Sequence, residues 1–449
     1  MNLPTAAPPT QPMLAAERRA SIGLALIFAL RMLGLFLVMP VLPLEAPHYL
    51  AHSAWWRDPN TGHASAAAMG AAMGIYGLTQ ASLQLPWGIA SDYWGRKRVI
   101  AMGLLLFAAG SIVAARAHTV EGLIWGRALQ GAGAISAALT ALLADLTRDA
   151  TRTRAMAMIG ASIALVFALA LVAAPMLNKQ MGLAGIFWLM AALTVPAYAV
   201  LFYLVPAEPL ARQSSMASTP LGQQAHTPIS WGAVLRDGPL LRLNAGVCIL
   251  HAVQIAMWMV IPRLLEQAGL PRQQHGQVYL PAVGAALVLM LVTLFPLERR
   301  GKLRLAFLFA IALLLIVQIA LAGSAWHATQ GTTVSIWQIG LMLLLFFTGF
   351  NVLEASQPSL VSRYAPPPAR GMALGLYNTA QSLGLFAGGA IGGLLAHTAG
   401  GSVLFMGTAA LLIGWLLLSW RLPMPTAQLT SPMYAHSATA PSAPNPPAD

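Results

Sequence analysis

Gly88-Ile-Ala-Ser-Asp92-Tyr-Trp-Gly95-Arg96-Lys97-Arg98 is a short polar interruption between two apolar runs, 67–90 and 98–116. Gly95 permits the tight turn that two closely packed helices need. The three consecutive cations place the loop on the side of a membrane where Lys and Arg collect. A crossing helix needs about 20 mostly apolar residues. Applied outward from this loop in both directions, that length gives twelve segments: 21–44, 67–90, 98–116, 119–146, 155–177, 182–205, 241–264, 276–296, 303–323, 333–360, 371–396 and 401–420. The runs are continuous, whereas a membrane barrel shows alternating segments of about 10 residues. The expected fold is all-α: a polytopic membrane protein with twelve transmembrane helices in two six-helix bundles.

Composition points the same way. Of 449 residues, 57% are hydrophobic and 8% charged, against roughly 25% charged in a soluble chain. So few charges cannot cover a water-facing surface of this size, which excludes a soluble enzyme, a nucleic-acid binder and a secreted scaffold. The formal net charge of +12 would suggest nucleic acid on a soluble protein, but here the cations are sided. With the N-terminus inside, 18 of the 25 Lys+Arg fall in cytoplasmic tails and loops, five lie opposite, and Arg31 and Arg127 sit within helices. That asymmetry predicts a multi-pass protein with both termini cytoplasmic, and it explains the basic balance without nucleic acid. The single cysteine, Cys248, allows no intramolecular disulfide. The first twenty residues lack the apolar core and cleavage site of a removable signal peptide.

The expected organisation is a cytoplasmic N-terminal tail (1–20), a six-helix bundle (21–205), a polar cytoplasmic linker (206–240), a second six-helix bundle (241–420) and a disordered tail (421–449). An internal repeat supports the division. The opening loop is echoed by Glu298-Arg-Arg-Gly301-Lys302-Leu-Arg304, with acid, glycine, base and arginine at matching offsets, and Arg154-Ala-Met-Ala is echoed by Arg370-Gly-Met-Ala. Repeated halves with a site at their interface are a common plan for secondary transporters.

The opening loop resembles the signature loop of the major facilitator superfamily, and Arg127-Ala-Leu-Gln130-Gly131-Ala-Gly133 resembles that superfamily's helix 4 motif. Helix 5 has Ala161, Ala170, Ala174 and Pro175 where the antiporter branch has glycines before a proline; only the proline is kept. Closer still, Leu30-Arg31-Met-Leu-Gly34, Ile75-Tyr76-Gly77-Leu-Thr-Gln80 and Gly126-Arg127-Ala-Leu-Gln130-Gly131 are similar to the YajR-type proton-coupled drug efflux transporters. The match covers the spanning region, but the small C-terminal soluble domain of that type is replaced by the tail. The resemblance implies a bacterial inner membrane. It also implies that the loop residues Gly88, Asp92, Gly95, Arg96 and Arg98, with Asp145, form a latch that holds an outward-open state. The residues have their own logic. Asp145 lies near the cytoplasmic end of helix 4, where the helix dipole is already negative and a carboxylate needs an answering cation. Arg96 fits that need, and Asp92 is placed to accept from Arg96 or to cap helix 11. A topogenic basic loop with incidental acids is the plainer alternative.

Charges at mid-membrane depth cost about 2.5–3.5 kcal/mol each on insertion scales, and few helices here bear them. Helix 1 has Arg31, helix 4 has Arg127 and Gln130, helix 7 has His251 and Gln254, and helix 10 has Asn351 and Glu354. These are the helices that line the central cavity in the facilitator fold, with Gln80 and Gln84 of helix 2 as additions. Glu354 is the only carboxylate deep within a span. Burial raises the pKa of such a group and a nearby arginine lowers it, which makes it the leading proton site, with Arg31 and Arg127 tuning it. Gln130, His251, Gln254, Asn351 and Tyr377 are candidate substrate-cavity residues. Each has a structural alternative: an ion pair for Arg31, backbone ties for Arg127, and packing for His251. Gly384, Gly388 and Gly392 in helix 11 form a small-xxx-small row suited to close helix approach. His48, His52 and His63 match no metal-site spacing, and no Walker loop is present.

The expected function is secondary active transport by alternating access, as proton-coupled antiport (efflux) of a small molecule, with solute–proton symport or uniport as the alternative. A non-transporting membrane sensor stands behind both, and an enzyme behind that, since no nucleophile–base pair or metal cluster shares a face. The expected partners are a small-molecule substrate, protons and the lipid bilayer, with no nucleic acid, no cofactor, no metal and a monomeric state.

Overall fold

In hydrocarbon every backbone N–H and C=O must be satisfied within its own segment, so long apolar runs become helices. A computed structural model describes residues 12–53, 64–207, 236–300, 302–366 and 369–422, and among these the regular structure is entirely helical. The spans are α1 (Ala15–Val38), α2 (Ala64–Trp94), α3 (Arg96–Ala115), α4 (Val120–Ala132 and Ser136–Asp145), α5 and α6 (the two arms of Asp149–Ala199), α7 (Gly238–Trp258, continued by Ile261–Gln267), α8 (Gly276–Arg299), α9 (Leu303–Thr329), α10 (Ile336–Tyr364), α11 (Arg370–Thr398) and α12 (Gly400–Trp420). Residues 1–11, most of the 206–240 linker (208–235) and 423–449 lie outside the described residues.

Ten described helical elements are long and apolar enough to cross a bilayer. One of them, Arg154–Leu204, overlaps the 51-residue helical run Asp149–Ala199, which would measure about 75 Å if straight, more than twice the roughly 30 Å hydrocarbon core. The chain reverses within it at Gly182, whose φ of 66° and ψ of 177° belong to a region that glycine alone adopts freely. That run therefore supplies two crossings. The twelfth is α2, less apolar because it carries Thr79, Gln80, Ser82 and Gln84.

Two departures from the expected spans have local causes. Helix 4 does not run unbroken over 119–146 but stops at Ala132 and restarts at Ser136. Gly131 and Gly133 press against the backbones of Tyr76 and Gly103, where a methyl group would overlap carbonyl oxygens. The carbonyl of Ala132, beside the break, accepts from the Trp87 indole at 2.7 Å. Helix 7 pauses likewise between Trp258 and Ile261.

Within the first half α1 packs on the α5–α6 pair, and α4 packs on α2 and α3. Within the second, α7 packs on α11, α8 on α10, and α9 on α10 and α12. The halves meet along α2 with α11 and along the α5–α6 pair with α8. Helix α11 is wedged between two partners. Gly384, Gly388 and Gly392 face Cys248, Ala252 and Ala256 of α7, while Gly389 and Gly393 face Gly70 and Gly74 of α2. At the end opposite the Arg96 loop, Arg272 Nη1 reaches across the halves to the Leu44 carbonyl at 2.8 Å. The outer surface is apolar: Trp337, Val195, Leu417 and Trp125 are among many large side chains left exposed, as a lipid-facing girdle requires.

Candidate functional site

The polar residues singled out in the sequence gather in two networks, one in each half. In the first, the Arg31 guanidinium of α1 donates to Ser136 Oγ at 3.0 Å and to Gln80 Oε1 at 3.1 Å. The restart of α4 at Ser136 is what delivers that hydroxyl. Arg127 donates to Gln130 Oε1 at 2.8 Å, one turn along its own helix, and stacks over the Tyr76 ring at 4.6 Å. Gln130 in turn donates to Ser111 Oγ at 2.7 Å. Arg31 and Arg127 are 2% and 1% exposed.

In the second half, Glu354 of α10 lies 3.6 Å from His251 of α7. The amide of Gln381 on α11 contacts both, at 2.7 Å from the His251 Nε2 and 3.4 Å from a Glu354 oxygen. The His251 Nδ1 sits 3.1 Å from the Val247 carbonyl. Among the described residues Glu354 therefore finds its partners in its own half, and neither Arg31 nor Arg127 contacts it. Its side chain keeps 29% exposure, while His251, Gln254, Asn351 and Tyr377 around this part of the interface are buried. Gln254 Oε1, Asn351 Nδ2, Tyr377 Oη and one Glu354 oxygen make no hydrogen bond, nor does either polar atom of the Gln84 side chain. Buried polar atoms are rarely left so in a packed interior; these lie on α2, α7, α10 and α11, and others are spread through both halves.

Aromatic rings join the halves. Phe167 of α5 packs edge-on to Phe36 of α1 and Phe347 of α10 and stacks near Phe350, which meets His251 edge to face. Of the aromatics readable as stacking candidates, Trp258, Phe350 and Tyr377 are buried, whereas Trp125 is 69% exposed on the outer surface.

The latch residues come together at the basic end. Gly95, with φ of 92°, turns the chain from α2 into α3. Arg96 pairs with Asp92 at 2.5 Å and with Asp145 at 3.3 Å, and donates to Ser91 Oγ at 2.5 Å. Gly88 lies against Ala137 of α4. Arg98 is exposed and stands apart from this cluster, whereas Lys97 donates to the carbonyl of Val205, just beyond α6, at 2.6 Å. The echoing loop falls at 298–304, where Gly301 and the side chains of Glu298 and Arg299 lie outside the described residues.

Sequence reading missed Ser136, Ser111 and Gln381 as site residues. Gln381 had a signal, one turn beyond Tyr377 in the polar stretch Asn378-Thr379-Ala-Gln381-Ser382 of a spanning helix; the two serines had none, since serine is common in spans.

A family model described as Major Facilitator Superfamily matches residues 24–384 and again 299–437. Inner membrane transport protein YajR of Escherichia coli (strain K12) is 38% identical over 416 residues, covering 92% of this chain and 85% of that protein. Multidrug resistance protein MdtH of Aeromonas hydrophila subsp. hydrophila is 27% identical over 398 residues, 86% of this chain and 89% of that protein. The crystal structure of the human organic anion transporter MFSD10 superposes with a TM-score of 0.67 at 21% identity, over 91% of this chain and all of that one.

Proposed function

The chain belongs to the major facilitator superfamily, a family of membrane transporters and not of enzymes, and from that premise we propose that it is a proton-coupled secondary active transporter working by alternating access, with Glu354 as the proton carrier. The observation that carries this reading is the placement of Glu354: one deep carboxylate, partly exposed, between His251 and Gln381, whose Oε2 faces His251 at 3.6 Å and makes no hydrogen bond. Charged, it resists transfer through a closed low-dielectric interface; protonated, it does not. Loading and unloading a proton thus biases which arrangement of the halves is favoured.

Export of a small molecule in exchange for protons is the first mode, supported by the printed name of MdtH. Solute–proton symport is the second reading, favoured by one observation: the two deepest arginines of the first half, Arg31 and Arg127, are held by neutral groups with no acid beside them among the described residues. The sided cations and the printed name of YajR support an inner membrane location with both termini in the cytoplasm. The transporter is read as a monomer. Solute flux in proteoliposomes, with and without an imposed pH gradient, tests the proposal: Glu354→Gln should abolish gradient-driven accumulation and keep substrate exchange. Accumulation that persists in this variant places the proton elsewhere.

A further inference from the structure

Three arginines near the membrane faces have acidic partners: Arg96 pairs with Asp92 and Asp145, Arg148 with Glu17, and Arg272 with Glu266. The two most deeply buried ones do not. Arg31 is held by the neutral oxygens of Ser136 and Gln80, and Arg127 by Gln130 and the face of Tyr76. Such dipoles orient a guanidinium without cancelling its charge. Both arginines keep a buried Nε with no acceptor, and the Tyr76 hydroxyl has no partner either. Tyr76 and Gln80 are neighbours one turn apart on α2, so a single helix face positions both cations.

We infer that this face is the recognition site for the anionic head of the substrate, a carboxylate or similar planar oxyanion seated between Arg31 and Arg127 with Tyr76 as a third donor. A carboxylate offers about four lone-pair directions, and the planar guanidinium fork matches it better than any other side chain does. Arg127 and Tyr76 line a cavity of about 10 Å³ that Leu35 and Met73 of the first half share with Ile255 and Leu385 of the second. That is room for roughly one water, so the site opens to substrate as the halves part. Its walls are otherwise apolar, and the ring cluster of Phe36, Phe167, Phe347 and Phe350 spans the same interface. The ligand is accordingly an organic anion with an apolar or aromatic body. A cationic substrate would meet two like charges with no acid beside them.

The inference rests on the transport reading and adds a sign to it. An anion on the arginines and a proton on Glu354 assist each other, since protonation removes a like charge from the other wall. The groups that face Glu354 are His251, Gln381 and Tyr377, and none supplies a fixed positive charge. For an anion the second, symport reading follows.

The test uses the full chain in detergent and three probes with one ring system: 2-naphthoate, 2-naphthylmethylammonium and 2-naphthalenemethanol. The carboxylate should bind at least roughly tenfold tighter than the other two, as charge-assisted hydrogen bonds require. Arg31→Gln and Arg127→Gln should each lose that preference, and Arg127→Lys should keep it at weaker affinity, which separates lost recognition from lost folding. Equal binding of all three probes, no binding of naphthoate, or a preference that survives both Gln variants overturns the inference. None of these results bears on Glu354, whose flux test stands or falls separately.

Discussion

His251 on α7 and Glu354 on α10 face each other at 3.6 Å, and the Gln381 amide on α11 spans the gap between them. With Nδ1 against the Val247 carbonyl, the hydrogen-bond network assigns the imidazole proton to Nδ1 and leaves Nε2 as an acceptor. The two amide protons of Gln381 then have one acceptor each, the imidazole and the carboxylate. Three helices of one half are thereby tied to the protonation state of a single group.

Gln381→Leu removes this bridge without altering any charge. Flux driven by a pH gradient should fall by about tenfold, the weight of one hydrogen bond to a charged group, while exchange without a gradient changes little. Reconstituted flux assays with and without the gradient measure both. Unchanged gradient-driven flux would remove Gln381 from the coupling machinery.

Arg96 ties Asp92 to Asp145 across α2, α3 and α4. Arg96→Ala leaves Asp145 facing the negative end of its own helix dipole. Transport should drop by roughly tenfold or more with membrane insertion intact, and adding Asp145→Asn should restore part of it. An Arg96→Ala protein that transports normally would exclude the latch from the cycle.

Gly388 lies where a side chain would overlap the Ala252 carbonyl of α7, whereas Gly375 on the same helix has nothing within 4 Å. Gly388→Val should cost about 1–3 kcal/mol as an overpacked interface, and Gly375→Ala close to nothing. Melting of the two purified variants in detergent, beside the parent, reads the contrast.

Sidedness can be read by thiol labelling in a Cys248→Ser background. Ala64→Cys should react with an impermeant reagent from outside and Gln223→Cys only from inside. Finding both on one side would overturn the orientation drawn from the cations.

Much of this architecture is written in local sequence. Apolar length marks the spans, and Gly95 with its flanking charges marks the α2–α3 turn. Helix electrostatics alone ask for a cation at Asp145; the full Asp92–Arg96–Asp145 cluster is what the resemblance of the 88–98 loop implies. What stayed hidden depends on long-range register. Nothing near Arg31 in the chain points to Ser136, 105 residues away. The break in α4 falls where Gly131 and Gly133 meet the backbones of Tyr76 and Gly103, contacts that no local pattern announces. Likewise the partners of Glu354, His251 and Gln381, lie 103 residues before and 27 residues after it in the chain, and Arg31 and Arg127 on the other half are held by Ser136, Gln80, Gln130 and Tyr76.

The two glycine rows of α11 make it both a rivet and a slide. One row is fastened to α7 within its own half, and the other runs against α2 of the opposite half. A single methyl on the second row, Gly389→Ala, is then a wedge: it leaves substrate groups and the α7 seam untouched while prising apart the end of the molecule that Arg272 closes. Such a wedge would let the conformer open at that end be trapped and imaged without an inhibitor or an antibody.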